Sequence, residues 1–569
     1  MAKDLLTPYE RIDEVFQRAF ELSPADETEL VWLERRHGRA SSDPAAPAYL
    51  EPSRLTVLVR VAVGGRVGWH RTESGGLGDV EIALRQAMAL ATTKSKARRL
   101  PVLPTPGDAI EFSAPLFDPE IAALTVDKAR RRAQDLCRGG FGTAGISAAG
   151  MAGQGSGHSG GHSGGHSGAG EEAILRWGQT QIAVANTHGL ARMAEATEAS
   201  LQFRSGRGPQ AGWAAGSARS LAGLGGPEIV NRARSRVSWL PPAEPPAAER
   251  LPLMLSAEAV CELLNVLNIF ALAGRAYLDG TSFLARHRNV QVFDRNFHLR
   301  DDAGAMPGLP FPFDFEGMSK RPLELITFGK PSLPALSHQQ SGEAGLEPTA
   351  QSVGGQDALF GNLFLLPGEL DEPGLLQTAE GGIYVGWLDR PECYEPNQLR
   401  VRALARGVRL IENGKLGAPL PDLVWDESLL HAFARLRGVG RELVVRSMPS
   451  TPLGAIAAPS LVLEEANKLD PVREQVEGQT EATALALLPP PAKLTAPILL
   501  SEALRTAEVR FAFDASLEDG GLEAGDGESE SAESADDSGS LEAADTIGFF
   551  AGALDDPSGG FAPPGEDPE

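Results

Sequence analysis

Cysteine is scarce in this chain. Cys137, Cys261 and Cys393 are its only three among 569 residues, too scattered for a disulfide framework, and none forms a C-x-x-C pair. Long apolar runs are missing too: no stretch reaches eighteen apolar residues, so no membrane-spanning helix is expected. The amino terminus, MAKDLLTPYERIDEVFQRAF, scatters charges through its apolar positions and has no small-residue cleavage site, unlike a secretory signal. The expected compartment is therefore the cytoplasm. Three further absences narrow the chemistry: there is no G-x-x-x-x-G-K-[ST] phosphate loop, no G-x-S-x-G nucleophile elbow and no zinc-knuckle spacing. Basic residues vanish from the last 55 positions, where 16 acids stand without a Lys or Arg. That stretch carries most of the net charge of −24 and argues against nucleic acid or an anionic membrane as a partner.

What is present reads as a soluble α+β protein of more than one domain, since 569 residues exceed what one core supports. Residues 8–22 pattern as an amphipathic helix with Ile12, Val15, Phe16 and Phe20 on one face. LTVLVRVAV (Leu55–Val63) and Arg66–Trp69 pattern as a hairpin closed by Gly64-Gly65. Helices follow at about 79–92 and from Asp118-Pro119-Glu120 to about Cys137. Residues 139–170, with the repeat GHSGGHSGGHSG, read as a flexible insertion. Beyond it, Thr180–Asn186 and Glu195–Phe203 read as strands joined around Thr187-His188-Gly189. PPAEPP (Pro241–Pro246) marks a boundary between an N-terminal α+β domain (1–240) and a β-rich domain (250–466).

Ser256 is expected to cap a long apolar helix running to about Gly280 and buried on several sides. Residues 339–357 are expected to form a mobile loop. Residues 467–569 read as a Pro-rich, then acidic, mostly disordered tail holding one apolar island, IGFFAGAL (Ile547–Leu554).

Several strings share their order with one family. VANTHGL (Val184–Leu190), GRAYLDGTSFL (Gly274–Leu284), Phe293–Met318, GNLFLLPGEL (Gly361–Leu370) and LIENGKLGAP (Leu410–Pro419) together resemble the TldD/TldE (PmbA) metallopeptidase family. The resemblance implies a two-domain architecture, an N-terminal sheet with helices and a β-rich C-terminal domain around a buried helix. It also implies a ring-like or barrel-like dimer enclosing a cleft for unfolded peptide.

TldD-like members carry H-E-x-x-x-H on the central helix, where two imidazoles hold zinc and the glutamate activates water. Here that helix reads AEAVCELLNVLNIFALAGRAY (Ala257–Tyr277), with no histidine, and no cysteine follows Cys393. The arrangement resembles TldE, the subunit without the metal. It implies no catalytic residue and no cofactor in this chain, zinc in a TldD-like partner carrying H-E-x-x-x-H, and homodimers as a further possibility. Two rivals stand: a self-sufficient metallopeptidase with an atypical site, and a non-enzymatic adaptor that binds through its tail.

Candidate contact residues for substrate or partner are Asn186 and His188 in the N-T-H-G turn, and Glu258 and Glu262, one helical turn apart. Two carboxylates alone make a poor zinc site. His158, His162 and His166 are spaced by four. Glycine between them costs a helix about 1 kcal/mol per position, which favours a solvated loop over a weak site for zinc, nickel or copper. Cys261 is expected to be buried and inert, Cys393 exposed in a turn. The acidic pairs Asp301-Asp302 and Asp314/Glu316 are expected to cap turn amides and face water.

Overall fold

Glycine at two adjacent positions lets a chain turn back on itself with both residues left-handed, and Gly64 and Gly65 do so at φ 56° and 78°. Around that turn grows the first half of the protein. The structure, a computed structural model, describes residues 8–93, 103–107, 112–139, 170–354, 357–451, 453–472 and 498–499. The histidine-rich insertion, with His158, His162 and His166, and the acidic tail lie outside them.

The first half runs α1 (Pro8–Leu22), β1 (Glu27–Ser41), β2 (Tyr49–Leu50), β3 (Arg54–Val63), β4 (Arg66–Thr72), α2 (Leu77–Thr93), α3 (Pro119–Ala122), α4 (Val126–Arg138), β5 (Glu172–Asn186), β6 (Ala191–Ser205), β7 (Gly212–Ala218) and α5 (Gly226–Ser235). Its antiparallel sheet has the order β4-β3-β1-β5-β6-β7, with β2 beside β1. Alternation along β1 divides the burial. Leu30 and Trp32 pack under α1 and α2, while Val31 and Leu33 pack against Phe311, Phe313 and Phe315 from the second half. A sheet covered on both faces explains why β3 is almost continuously apolar.

Two expectations change here. The helix begun at Asp118 is two helices: Asp118 caps α3, and Thr125 caps α4 by accepting from the Lys128 amide. A second N-cap within the segment restarts the helix and leaves Leu124 buried in the joint. Strands β5 and β6 run fifteen residues each, beginning earlier than their apolar patterns suggest. Their polar middle, Gln179-Thr180-Gln181, pairs in register with Thr197-Ala196-Glu195.

The second half continues with β8 (Arg250–Leu255), α6 (Ala257–Leu267), α7 (Gly274–Leu278), α8 (Leu284–His287), β9 (Leu299–Asp301), β10 (Leu323–Thr327), β11 (Lys330–Pro331), α9 (His338–Ala344), β12 (Asn362–Leu365), α10 (Glu372–Thr378), β13 (Ile383–Val385), β14 (Trp387–Glu395) and β15 (Arg400–Arg406). It ends with β16 (Arg409–Glu412), β17 (Lys415–Pro419), β18 (Leu423–Ser428), α11 (Leu429–Ala432), β19 (Leu436–Arg446), β20 (Ala455–Asn467), β21 (Asp470–Pro471) and β22 (Ile498–Leu499). A ten-stranded mixed sheet has the path β11-β10-β9-β12-β20-β8-β13-β16-β17, with β19 also on β20; a five-stranded sheet follows β21-β18-β15-β14-β22.

Helix α6 packs against β19 and β20 of the larger sheet and β14 of the smaller one. Every α6 residue except Glu262 is buried, as a helix apolar on several sides requires. It is shorter than expected. After Leu267 it widens into a π turn at Asn268–Leu272, breaks at Ala273 and restarts as α7. Asn268 marks the widening: its side chain donates to the Phe360 and Ser450 carbonyls and accepts from the Phe360 amide. Gly274 allows the restart, because a Cβ there would lie 2.4 Å from the Ala335 carbonyl oxygen.

Residues 339–354 are packed rather than mobile. Ser337 and Gln340 form a capping box at the start of α9, and Thr349, Gln351 and Ser352 are buried. The polar composition of this stretch serves internal hydrogen bonds, such as Gln351 Nε2 to Asp301 Oδ2 at 2.7 Å. Cys393 is buried on β14 rather than exposed, and burial pushes its thiol up to about 12. The Pro391 that suggested a turn sits at a register shift between β14 and β15, where a strand tolerates proline. No helix among the described residues is long and apolar enough to cross a membrane.

Candidate functional site

Along α6, Glu258, Glu262, Asn265 and Asn268 recur at intervals of four, three and three, so a polar stripe runs down one face of an apolar helix. That stripe meets α5 and the end of β19. Arg232 Nε donates to Glu258 Oε1 at 2.9 Å, and Arg236 Nη2 to Oε2 at 3.0 Å. These two arginines, one in the last turn of α5 and one at its C-cap, grip a fully buried carboxylate from both sides. Burial alone would raise the Glu258 pKa, but Arg236 and Arg232 outweigh it and hold the carboxyl at about 2.

Arg446 Nη1 reaches Glu262 Oε1 at 2.5 Å and the Glu258 carbonyl at 3.3 Å. Glu262 stays 16% exposed, and its pKa is raised by burial against the pull of Arg446. Arg446 also stacks over Trp213, whose ring lies 5.3 Å from that of Trp387. Further down, Asn265 Oδ1 accepts from the Ser450 amide. Ser447, Met448, Thr451 and Leu453 then face the first sheet across a cleft of about 30 Å³ bounded on the other side by Arg35, Thr180 and Glu198. That volume holds roughly one or two waters.

The other two candidates sit elsewhere. Asn186, buried at the end of β5, shapes the N-T-H-G turn. Its Oδ1 accepts from the His188 and Leu190 amides, and its Nδ2 donates to the Pro104 carbonyl. His188 is 22% exposed, with Nε2 3.6 Å from Glu27 Oε2. So the four candidates fall into two networks: Glu258 and Glu262 are taken up by arginines, Asn186 by the turn, and His188 faces Glu27.

Near His188 lies a cluster that sequence reasoning did not assemble. Arg60, on β3, donates to Glu29 Oε2 on β1 and to Glu316 Oε1 from the second half, both at 2.8 Å, and stacks over Trp69. Glu316 Oε2 accepts the His338 amide. Asp314 accepts from the amides of Glu316, Met318 and Ser352. Asp301, Asp314 and Glu316 do cap amides, but they are buried instead of facing water, a correction to their expected exposure.

Burial, helped by Glu316 and Asp314 and opposed by Arg60, pushes Glu29 up to about 8. Burial and then Glu316 push Asp314 to about 7. His338 is pushed down by burial, and its Nδ1 is buried without a hydrogen-bond partner. One signal was available in sequence: Arg60 is the lone charge in the middle of LTVLVRVAV.

No group of three or more His, Cys, Asp or Glu side chains among the described residues is placed to hold a metal ion. Cys261 is buried between the Val444 and Ile456 carbonyls, and burial pushes its thiol far up.

Residues 248–468, which include α6 and both sheets of the second half, match the PmbA/TldA metallopeptidase C-terminal domain. The whole fold is similar to TldE from Thermococcus kodakarensis, with a TM-score of 0.65 and 18% identity over 81% of this chain and 100% of that one. It is also similar to a candidate modulator of a DNA gyrase from Thermotoga maritima, at TM-score 0.63 and 17% identity, covering 81% of this chain and 100% of the other. A candidate DNA gyrase modulator from Bacteroides thetaiotaomicron gives 0.61 and 16%, with 82% and 100% covered. Comparison with curated protein sequences returns no match. Residues 248–468 therefore form a PmbA/TldA metallopeptidase C-terminal domain, set in an overall architecture shared with these structures.

Proposed function

We propose that this protein is the TldE-like, zinc-free subunit of a peptidase, pairing with a TldD-like chain that supplies H-E-x-x-x-H and hydrolyses unfolded peptides. One observation carries the reading: the polar face of α6 is spent on ion pairs. Glu258 and Glu262 face Arg232, Arg236 and Arg446. Three guanidinium groups around two carboxylates repel a divalent cation and leave no imidazole on the helix to bind it. The residues of this helix face therefore do not fit zinc.

The test is native purification of the full chain from its own cells, followed by peptidase assay of the chain alone and with whatever co-purifies. Recovery of a stoichiometric H-E-x-x-x-H chain, with activity only in the pair, is the expected result. Chelator-sensitive cleavage of an unfolded peptide by the chain alone would overturn the reading.

A further inference from the structure

The hairpin of β10 and β11 turns at Phe328 and Gly329, at φ 51° and 72°. Glycine, asparagine or aspartate suits the first of these positions, and a left-handed phenylalanine costs about 1–2 kcal/mol. No burial offsets that cost, because Phe328 is 56% exposed, with the His298 ring edge-on at 4.8 Å.

The preceding segment clamps the same hairpin. The Asn289 amide donates to the Pro331 carbonyl, those of Val292 and Phe293 to Gly329, and Arg288 Nε to Ser332. A left-handed Asn289, at φ 63°, leaves its neighbour Val290 50% exposed. Beneath lie the packed rings of Phe283, Phe293, Phe297 and Phe433, so the surface is rigid. Arg286 and Arg295, within five residues of Val290, and Lys330, two residues past Phe328, are exposed. The nearby acid Asp294 is turned inward, accepting from the Asn296 and Leu436 amides, which leaves Glu324 as the exposed carboxylate of the hairpin. Two apolar side chains are thus held in water, with exposed cations close to each in the chain.

The complement is in the same chain. IGFFAGAL (Ile547–Leu554) is flanked by Glu542 and Asp545 on one side and Asp555 and Asp556 on the other, within a stretch that has no Lys or Arg. We infer that the Val290–Phe328 surface, with Arg286, Arg295 and Lys330 close to it in the chain, docks the chain's own segment Ile547–Leu554. Phe549 and Phe550 cover the apolar pair, and the flanking acids meet the cations. Reach does not limit this contact, since about 50 residues beyond β22 can extend roughly 160 Å. Tethering supplies an effective concentration of order millimolar, so a weak contact suffices. The docked tail offsets the strain held at Phe328.

Chymotrypsin applied to the full-length protein tests this, with Phe561 as the control site outside the docking segment. Cleavage after Phe549 and Phe550 is expected to be at least about five-fold slower than after Phe561. Phe328→Asn suits the left-handed turn and so preserves the fold; it should remove that protection. Equal cleavage at the three sites in the unmodified protein, or protection unchanged in Phe328→Asn, overturns the inference. Protection that disappears on dilution also overturns it, because the tail would then come from a second copy. A photo-crosslinking phenylalanine analogue at position 328 should capture residues 547–554, and capture elsewhere counts against the contact.

Discussion

Two buried charge clusters join the halves of this molecule, and they are poised in opposite senses. At α6, two carboxylates meet three guanidinium groups; at the first sheet, Glu29 and Glu316 share Arg60 as their ion-pair partner, with Asp314 as a third carboxylate beside Glu316. Glutamates equally removed from water titrate far apart as a result. Glu258 is held at about 2, whereas Glu29 is lifted to about 8. Desolvation pushes both upward, so the sign of the excess charge decides the outcome. Their spacing of one helical turn made the carboxylates of α6 candidate contact residues. The arginines around them make Glu258 a structural tie between α5 and α6.

The largest expected effect breaks the first cluster. Glu258→Ala leaves Arg236 buried without its counter-charge and should cost about 3–5 kcal/mol, read as a fall in the urea midpoint. Glu262→Ala should cost far less, about 1 kcal/mol, since that side chain is partly exposed and Arg446 keeps the Glu258 carbonyl and the Trp213 face. Equal losses in the two variants would remove the distinction between a buried hub and a partly solvated pair.

Next in size is the dependence on pH, where the clusters should separate. The Glu258 pKa is depressed on folding, so its stabilisation is present above the unfolded value near 4.3 and is lost as pH falls toward 2. The pKa values of Glu29 and Asp314 are raised. Their contribution is complete below the unfolded values and declines as pH rises through about 7 to 8. Thermal midpoints should therefore fall along an alkaline limb from about pH 4 to 8 and level off beyond it. Glu29→Gln should flatten that drop while leaving the acid limb intact. A Glu29→Gln protein with the same alkaline slope would show that Arg60 already balances the cluster.

The contrast also explains what was legible in the sequence. Apolar period and turn chemistry exposed the β3–β4 hairpin, α1, α2 and the start of α6, because those signals are local. The end of α6 depends on Asn268 finding Phe360 and Ser450, partners 92 and 182 residues away. Asp314 and Glu316 stood out as an acidic pair, but their burial comes from β1, β3 and α9, which no local pattern brings near. Segment 339–354 misled for the same reason. Its polar residues bond to one another and to buried backbone, and composition alone resembles a solvated loop. Arg60 was readable as an anomaly, a charge inside an apolar strand, without revealing which carboxylates it would meet.

The smallest expected effects concern the N-T-H-G turn. Asn186→Ala removes three side-chain hydrogen bonds, one of them to the buried Pro104 carbonyl, and should cost about 1–2 kcal/mol in a denaturant titration. His188→Ala removes a partly exposed histidine 3.6 Å from Glu27, so stability should change by less than about 0.5 kcal/mol. That difference makes His188 the cleaner probe of contact. A His188→Ala protein that keeps its unfolding midpoint yet weakens binding to an H-E-x-x-x-H subunit would place the turn at the partner surface. Unchanged binding would restrict His188 to its pairing with Glu27 beside the Arg60 cluster.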